Sequence, residues 1–372
     1  MRSMKQFLLS IAAAVMLPVS GVYATGNDFY HSFENKIYTM TNSTEGNELI
    51  ELTHYASGEI FESNRFATGG NGTSGGLGNQ GGIVTSDDKS LMFVVNAGSN
   101  SISVFKKTPW GIRLVETESS LGERPVSITQ LHNLVYVLNA GSDSIAGFIV
   151  NAQGHLYPLK NSIAKLSGEA TGAAQISFTP RGNALVVTEK ATNFITTFPL
   201  YFGIPGEAII NISAGVTPFG FDFDRYGHLL VSEAAGGEQD ASSVSSYAVS
   251  RFGALNELDG PVPTTETAAC WLIVDKTGRY AYTTNAGSAS ISAYKVHPRG
   301  RLTLLNEDGV AASTGEGSAP IDLALSGNGR FLYALSARDG SVSAFVVGRH
   351  GTLESHTRMT DLPTGLNGLA VF

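Results

Sequence analysis

Met92-Phe-Val-Val-Asn-Ala-Gly-Ser-Asn-Ser-Ile-Ser-Val-Phe105 returns almost unchanged three times along the chain. The copies are Val135-Tyr-Val-Leu-Asn-Ala-Gly-Ser-Asp-Ser-Ile-Ala-Gly-Phe148, Ala281-Tyr-Thr-Thr-Asn-Ala-Gly-Ser-Ala-Ser-Ile-Ser-Ala-Tyr294 and Leu332-Tyr-Ala-Leu-Ser-Ala-Arg-Asp-Gly-Ser-Val-Ser-Ala-Phe345. Each copy alternates apolar and small polar residues on either side of a Gly/Ser/Asn turn, the pattern of a hairpin whose side chains point to opposite faces. One such unit cannot bury its apolar face alone and must stack on its neighbours. The Asn-Ala-Gly-Ser turn itself reads as hairpin chemistry, with Asn bonding the turn backbone and Gly supplying the left-handed residue.

Two further strands flank each hairpin. Upstream lie short segments such as Pro125-Val-Ser-Ile-Thr and Pro320-Ile-Asp-Leu-Ala-Leu, closed by turns such as Thr277-Gly-Arg and Gly327-Asn-Gly-Arg; downstream lie segments such as Leu156-Tyr-Pro-Leu and Leu302-Thr-Leu-Leu. Asn96 recurs 43 residues on as Asn139, and Asn285 recurs 51 residues on as Ser336. Four strands in roughly 40 to 50 residues make a propeller blade. Six inner strands can be counted, starting near Gly82, Pro125, Gln175, Pro218, Cys270 and Pro320. Residues 36–66 hold a hairpin and an outer strand without an inner one, while Leu366-Asn-Gly-Leu-Ala-Val-Phe372 is an inner strand without a blade. Pairing the two predicts an all-β, seven-bladed β-propeller of four-stranded antiparallel blades over 36–372, closed so that only short edges remain.

The first residues read differently. Arg2 and Lys5 precede the apolar run Phe7 to Leu17, followed by Pro18, Gly21 and Val22-Tyr-Ala24. This predicts a signal peptide over 1–24, a lead-in segment over 25–35, and an exported protein, periplasmic or extracellular, because the run is too short to span a bilayer. Loss of that segment takes the formal charge from -8 to -10. An acidic surface without basic clusters is expected, which argues against nucleic acid and anionic membrane as partners. The expected state is a monomer without a transmembrane segment. Cys270, the single cysteine, sits in the apolar stretch Ala268-Ala-Cys-Trp-Leu-Ile-Val274 and reads as a small buried hydrophobe.

A propeller gathers its functional loops on the face where the inner strands begin and where second strands turn into third. On this chain that rim carries Asn42, Asn96, Arg124, Asn139, Gln175, Lys190, Phe219, Trp271, Asn285, Arg338 and Asn367, with two carboxylates, Glu189 and Glu233, where other blades have Asn or Ser. The two carboxylates are candidate ligands for a hard divalent cation such as calcium, or candidates for proton transfer. None of the eight histidines falls at the channel mouth on this map, which leaves a His-based general base or a His-ligated zinc without its residue. The run Gly69-Gly-Asn-Gly-Thr-Ser-Gly-Gly-Leu-Gly-Asn-Gln-Gly-Gly82 lacks the Lys of a phosphate-cradling loop and is expected to be mobile.

With the blades laid out, residues 36–372 resemble the lactonase family of seven-bladed propellers, which includes the 6-phosphogluconolactonase and carboxymuconate cyclase types. The resemblance rests on Gly278-Arg-Tyr-Ala-Tyr282, Gly329-Arg-Phe-Leu-Tyr333, the Asn-Ala-Gly-Ser-x-Ser-Ile hairpins, and Gln175-Ile-Ser-Phe-Thr-Pro-Arg-Gly-Asn-Ala-Leu-Val-Val-Thr-Glu189. It implies a catalytic Glu at Glu189. The family's inner-strand His, its Arg-His pair and its last Arg fall on Arg124-Pro-Val-Ser127, Ala173-Ala-Gln175 and Glu233, none of which matches. Two functions therefore follow. One is a small-molecule or protein ligand bound at the channel rim by Arg124, Asn139, Gln175, Lys190, Phe219, Trp271, Asn285 and Arg338, without the family's usual catalysis. The alternative is a divergent lactone hydrolase with Glu189 as general base and Lys190, Arg124 or a cation near Glu233 polarising the carbonyl.

Overall fold

In the computed structural model, residues 34–55 and 57–372 are described. The expected signal peptide over 1–24 lies outside them, as does the lead-in except for Glu34 and Asn35, which open the first strand (Glu34–Met40). Seven antiparallel sheets form a ring, four of them four-stranded; in the other three the outer strand is split into two short pieces. The inner strands are Ile83–Thr85, Pro125–Leu131, Ala173–Phe178, Pro218–Phe223, Ala269–Val274, Pro320–Leu325 and Asn367–Val371. Blades are numbered here so that blade 1 holds Glu34–Ala67 together with the C-terminal strand, and blades 2 to 7 begin with the other six inner strands in chain order.

The C-terminal strand closes the ring as the sequence predicts. Ile37 lies opposite Val371, Tyr38 opposite Ala370, and Phe372 N–H donates to Lys36 O at 3.0 Å. Leu366 and Leu369, 1% and 5% exposed, pack with Ile37, Ile50 and Leu52 of blade 1 and with Tyr333, Leu335 and Val342 of blade 7. His54 stands at the same seam. Its Nδ1 is 2.8 Å from the Tyr333 hydroxyl, and its ring meets Phe331 and His356 edge-on or tilted.

The repeated Asn does not bond its own turn, contrary to the sequence expectation. Asn96 donates to Ser103 Oγ at 2.7 Å and accepts from Asn47 Nδ2 and Thr68 Oγ1; Asn285 donates to Ser290 and Ser292; Asn139 donates to Ser120 O. Each is fully buried and ties its blade's third strand, or the loop entering the blade, to the second strand. The turn glycines differ from expectation too. The left-handed residues are Asn100, Asp143 and Ala289, four positions after each Asn. Gly98 is instead needed for close approach, because a Cβ there would lie 1.9 Å from Gly72 O.

Two tests follow from the seam. Leu366→Ala should cost about 2–5 kcal/mol through lost burial and the cavity left behind, read by denaturant unfolding. Burial, and then the neighbouring His356, pull the His54 pKa down from 6.5 to about 4. A depressed histidine means that the unfolded chain takes up the proton first, so stability is lost as pH falls from about 6.5 toward 4, by up to roughly 3 kcal/mol. His54→Leu should flatten that part of the Tm-against-pH curve, and an unchanged slope would rule His54 out as its source.

Candidate functional site

Seven inner strands turn one edge each toward a common axis, and the N–H and C=O groups on those edges have no further strand to pair with. Side chains of the neighbouring blade take them up. Ser127 Oγ accepts from Ile176 N–H at 3.1 Å, Gln175 exchanges two hydrogen bonds with Phe221 N–H and C=O at 2.7 and 3.0 Å, and Asp222 accepts from Val274 N–H at 2.8 Å. Asp322 accepts from Leu323 and Leu369 N–H, and burial pushes its carboxyl up to about 8, a neutral acid at pH 7. The Gln175 amide, a rim candidate from the sequence, is thus spent on the wall of the channel.

The glycine-rich segment 69–82 completes the set, and it is not the mobile loop its composition suggests. It crosses the mouth of the channel with Leu77 4% and Asn79 2% exposed. Gln80 N–H donates to Ala174 O, its amide both donates to Leu272 O at 2.8 Å and accepts from Leu272 N–H at 3.1 Å, and Gly81 O accepts from Ile128 N–H. Asn79 donates to Val126 O, while Asn79 O accepts from Trp271 Nε1. The segment thereby spans three inner strands, pairing with edge groups of Val126, Ile128, Ala174 and Leu272. Gly220 makes room for it, since a Cβ there would lie 2.1 Å from Gln80 Oε1. The sequence shows only a carboxamide pair, Asn79-Gln80, in a run of glycines, and nothing local says that the pair faces strands far along the chain.

The inner strands also bulge at their start. In blade 6 Ala269 pairs with Asn285 and Trp271 with Thr284, which leaves Cys270 between them; Val126, Ala174, Phe219-Gly220 and Ile321 occupy the same place in other blades. A bulge bends its strand and re-aims the extra side chain. Ala174, Phe219, Cys270 and Trp271 form one apolar cluster. Phe219 and Trp271 lie with ring centroids 4.9 Å apart. Cys270 is buried and its thiol is pushed up to about 12 by burial, so it is protonated and inert at neutral pH, as the hydrophobe reading requires.

Lys190 sits over this cluster. Its ammonium donates to Gly78 O at 2.6 Å and Ala173 O at 3.3 Å and lies 4.8 Å from the Phe219 ring centre. Burial pulls its pKa down to about 8, and the charge of Arg124 pulls in the same direction. Lys190, Phe219, Trp271 and, at longer range, Arg124 are therefore the rim candidates that the fold brings together. Arg338 is exposed on the blade 7 turn, and Asn139 and Asn285 point into their own blades.

Glu189 and Glu233 are corrected by the geometry. Both occupy the position of the repeated Asn, and both are fully buried. Glu189 accepts from Ser167 N–H and hydroxyl, from Thr192 at 3.0 Å and from Thr196 at 2.6 Å. Glu233 accepts from Gly215 N–H at 3.0 Å and from the Ser213 and Ser243 hydroxyls, while burial holds its carboxyl above the ordinary range. Each carboxylate is enclosed by its own blade and the loop entering it, so neither faces the channel as a base and the two do not meet around a cation. Among the described residues there is no group of three or more His, Cys, Asp and Glu side chains able to hold a metal. The described histidines keep away from the mouth, with His132, His155, His228, His297 and His350 in or beside the opposite turns.

The family model for "Lactonase, 7-bladed beta-propeller" matches residues 30–167 and 264–367. The chain belongs to the seven-bladed lactonase family. Solved structures share the fold at low identity. A protein assigned as a 6-phosphogluconolactonase from Bacteroides fragilis is 17% identical over 91% of this chain and 98% of its own, with a TM-score of 0.72. The periplasmic gluconolactonase of Pseudomonas aeruginosa is 16% identical over 91% of this chain and 99% of its own, also at 0.72. Virginiamycin B lyase of Staphylococcus aureus is 13% identical over 75% of this chain and 84% of its own, at 0.52. No curated protein sequence matches.

Gly220→Ala should expel the Gln80 side chain and free the crossing segment from the channel mouth. Limited proteolysis reads this as new cleavage within 69–82, and a variant as resistant as the parent would contradict the close approach.

Proposed function

We propose that this lactonase-family chain hydrolyses a small lactone at the channel mouth, with Lys190 as the group that polarises the ring carbonyl. The supporting observation is the placement of the Lys190 ammonium, fixed by two backbone carbonyls above an aromatic floor. A cation held in a partly dehydrated site stabilises a developing oxyanion more than one in water does. Water adds to the carbonyl carbon, the oxyanion faces Lys190, and the ring C–O bond breaks to give a hydroxy acid. Phe219 and Trp271, buried beneath the ammonium, keep that part of the mouth apolar, and Arg124 offers a second positive charge to a carboxylate or phosphate on the substrate. The gluconolactonase and 6-phosphogluconolactonase names among structures of the same fold favour a sugar-acid lactone.

This reading takes the general-base role away from Glu189. Glu189→Gln should keep its turnover, because other blades carry a carboxamide at that position. Lys190→Met should lose about 100-fold or more in enzyme-dependent rate. The charged form of Lys190 disappears as pH rises through about 8, so the rate above background should fall there in the parent. A lactone panel, corrected for spontaneous hydrolysis, checks all three; a Lys190→Met variant as fast as the parent removes the proposal. Recognition without turnover is the competing reading, supported by the enclosed carboxylates and the segment across the mouth. Saturable lactone binding with no rate above background would decide for it.

We also propose export, on the strength of the apolar N-terminal run and a periplasmic protein of the same fold. No described helix is long and apolar enough to cross a membrane. N-terminal sequencing of protein from the expressing cell should start at Thr25.

A further inference from the structure

The face opposite the channel mouth carries the turns between first and second strands and between third and fourth. In blades 4 and 5 three of these turns surround a groove of about 430 Å³, lined by Arg181, Asn183, Arg225, Tyr226, His228 and Arg251. All three arginines are exposed, and among the described residues none makes an ion pair. The acid beside them, Asp224, is 4% exposed and already occupied, accepting from Tyr226 and His228 N–H and from His228 Nδ1, each at 2.8 Å. The groove therefore presents three guanidinium groups with no facing carboxylate on a chain whose formal charge is -8.

The arrangement is also braced. Asn183 Nδ2 donates to Arg251 O at 2.8 Å, which ties the turn of blade 4 to that of blade 5. Arg225 donates to the Tyr226 hydroxyl at 2.6 Å and stacks over that ring at 4.7 Å, so its planar fork is held rather than free to rotate. Holding like charges around one concavity is unfavourable unless an anion occupies it. Three forks match a ligand with several acceptor oxygens on one centre, which is the chemistry of phosphate.

We propose that this groove is a binding site for a phosphate-bearing anion, separate from the channel mouth. Phosphate of this kind comes free in solution or on a lipid headgroup. The lipid source has its own support on this face, where Trp110 (96% exposed), Phe202 and Phe252 (60%) stand at the tips of third-to-fourth-strand turns. Exposed rings at loop tips beside cationic side chains suit insertion at a lipid interface.

The test uses inorganic pyrophosphate in calorimetric titration at low salt, and cosedimentation with phosphatidylglycerol vesicles against phosphatidylcholine vesicles. The parent should bind at least one probe saturably, and Arg181→Gln/Arg225→Gln/Arg251→Gln should weaken that binding tenfold or more. Pyrophosphate binding identifies the soluble source; binding to phosphatidylglycerol alone identifies the lipid source; both support the site. Failure of the parent to bind either probe overturns the proposal, as does equal binding by the triple variant. Should the triple variant unfold, Arg225→Gln alone, checked by its Tm, should weaken binding threefold or more, and an unaltered affinity there also overturns it. None of these readouts involves lactone turnover.

Discussion

Seven strand edges facing one axis are the constraint from which the rest of this molecule follows. Each edge group left unpaired in the interior would cost about 1–3 kcal/mol, and a ring of such edges repeats that cost around the channel. The chain meets it with side chains reaching one blade onward, from Ser127, Gln175, Asp222 and Asp322, and with a backbone segment carrying Gln80 across three blades. The channel is consequently a packed, hydrogen-bonded axis at its mouth, with polar residues that serve the wall before they can serve a ligand.

That requirement encloses several of the polar residues that the sequence places at the rim. A carboxylate at the end of a second strand looks available in a linear reading. In the folded ring the same position is an internal brace, filled by Asn96, Asn139, Asn285, Glu189 or Glu233, each of which bonds groups of its own blade or of the loop entering it. Lys190, one residue beyond Glu189, follows the opposite alternation and projects over the bulged, apolar starts of the inner strands. A one-residue step along the chain decides which of the two is enclosed in the blade and which lies over the apolar cluster.

Charge follows the same logic on the far face. Arg181, Arg225 and Arg251 come from three separate turns, far apart in the sequence. The expectation of an acidic surface without basic clusters fails at this groove, since a propeller places turns of adjacent blades side by side.

The amino-acid sequence by itself determined the seven blades, the starts of their inner strands to within a few residues, and closure by Leu366 to Phe372. All of these depend on local alternation and on a repeat that must bury its faces against copies of itself. Folding alone decided the partners: Gln80 with Leu272, Trp271 with Asn79, Lys190 with Gly78, Glu189 with Ser167 and Thr196. Those contacts join residues up to 192 positions apart through groups whose need for a partner arises only once the ring has closed, and periodicity carries no trace of them.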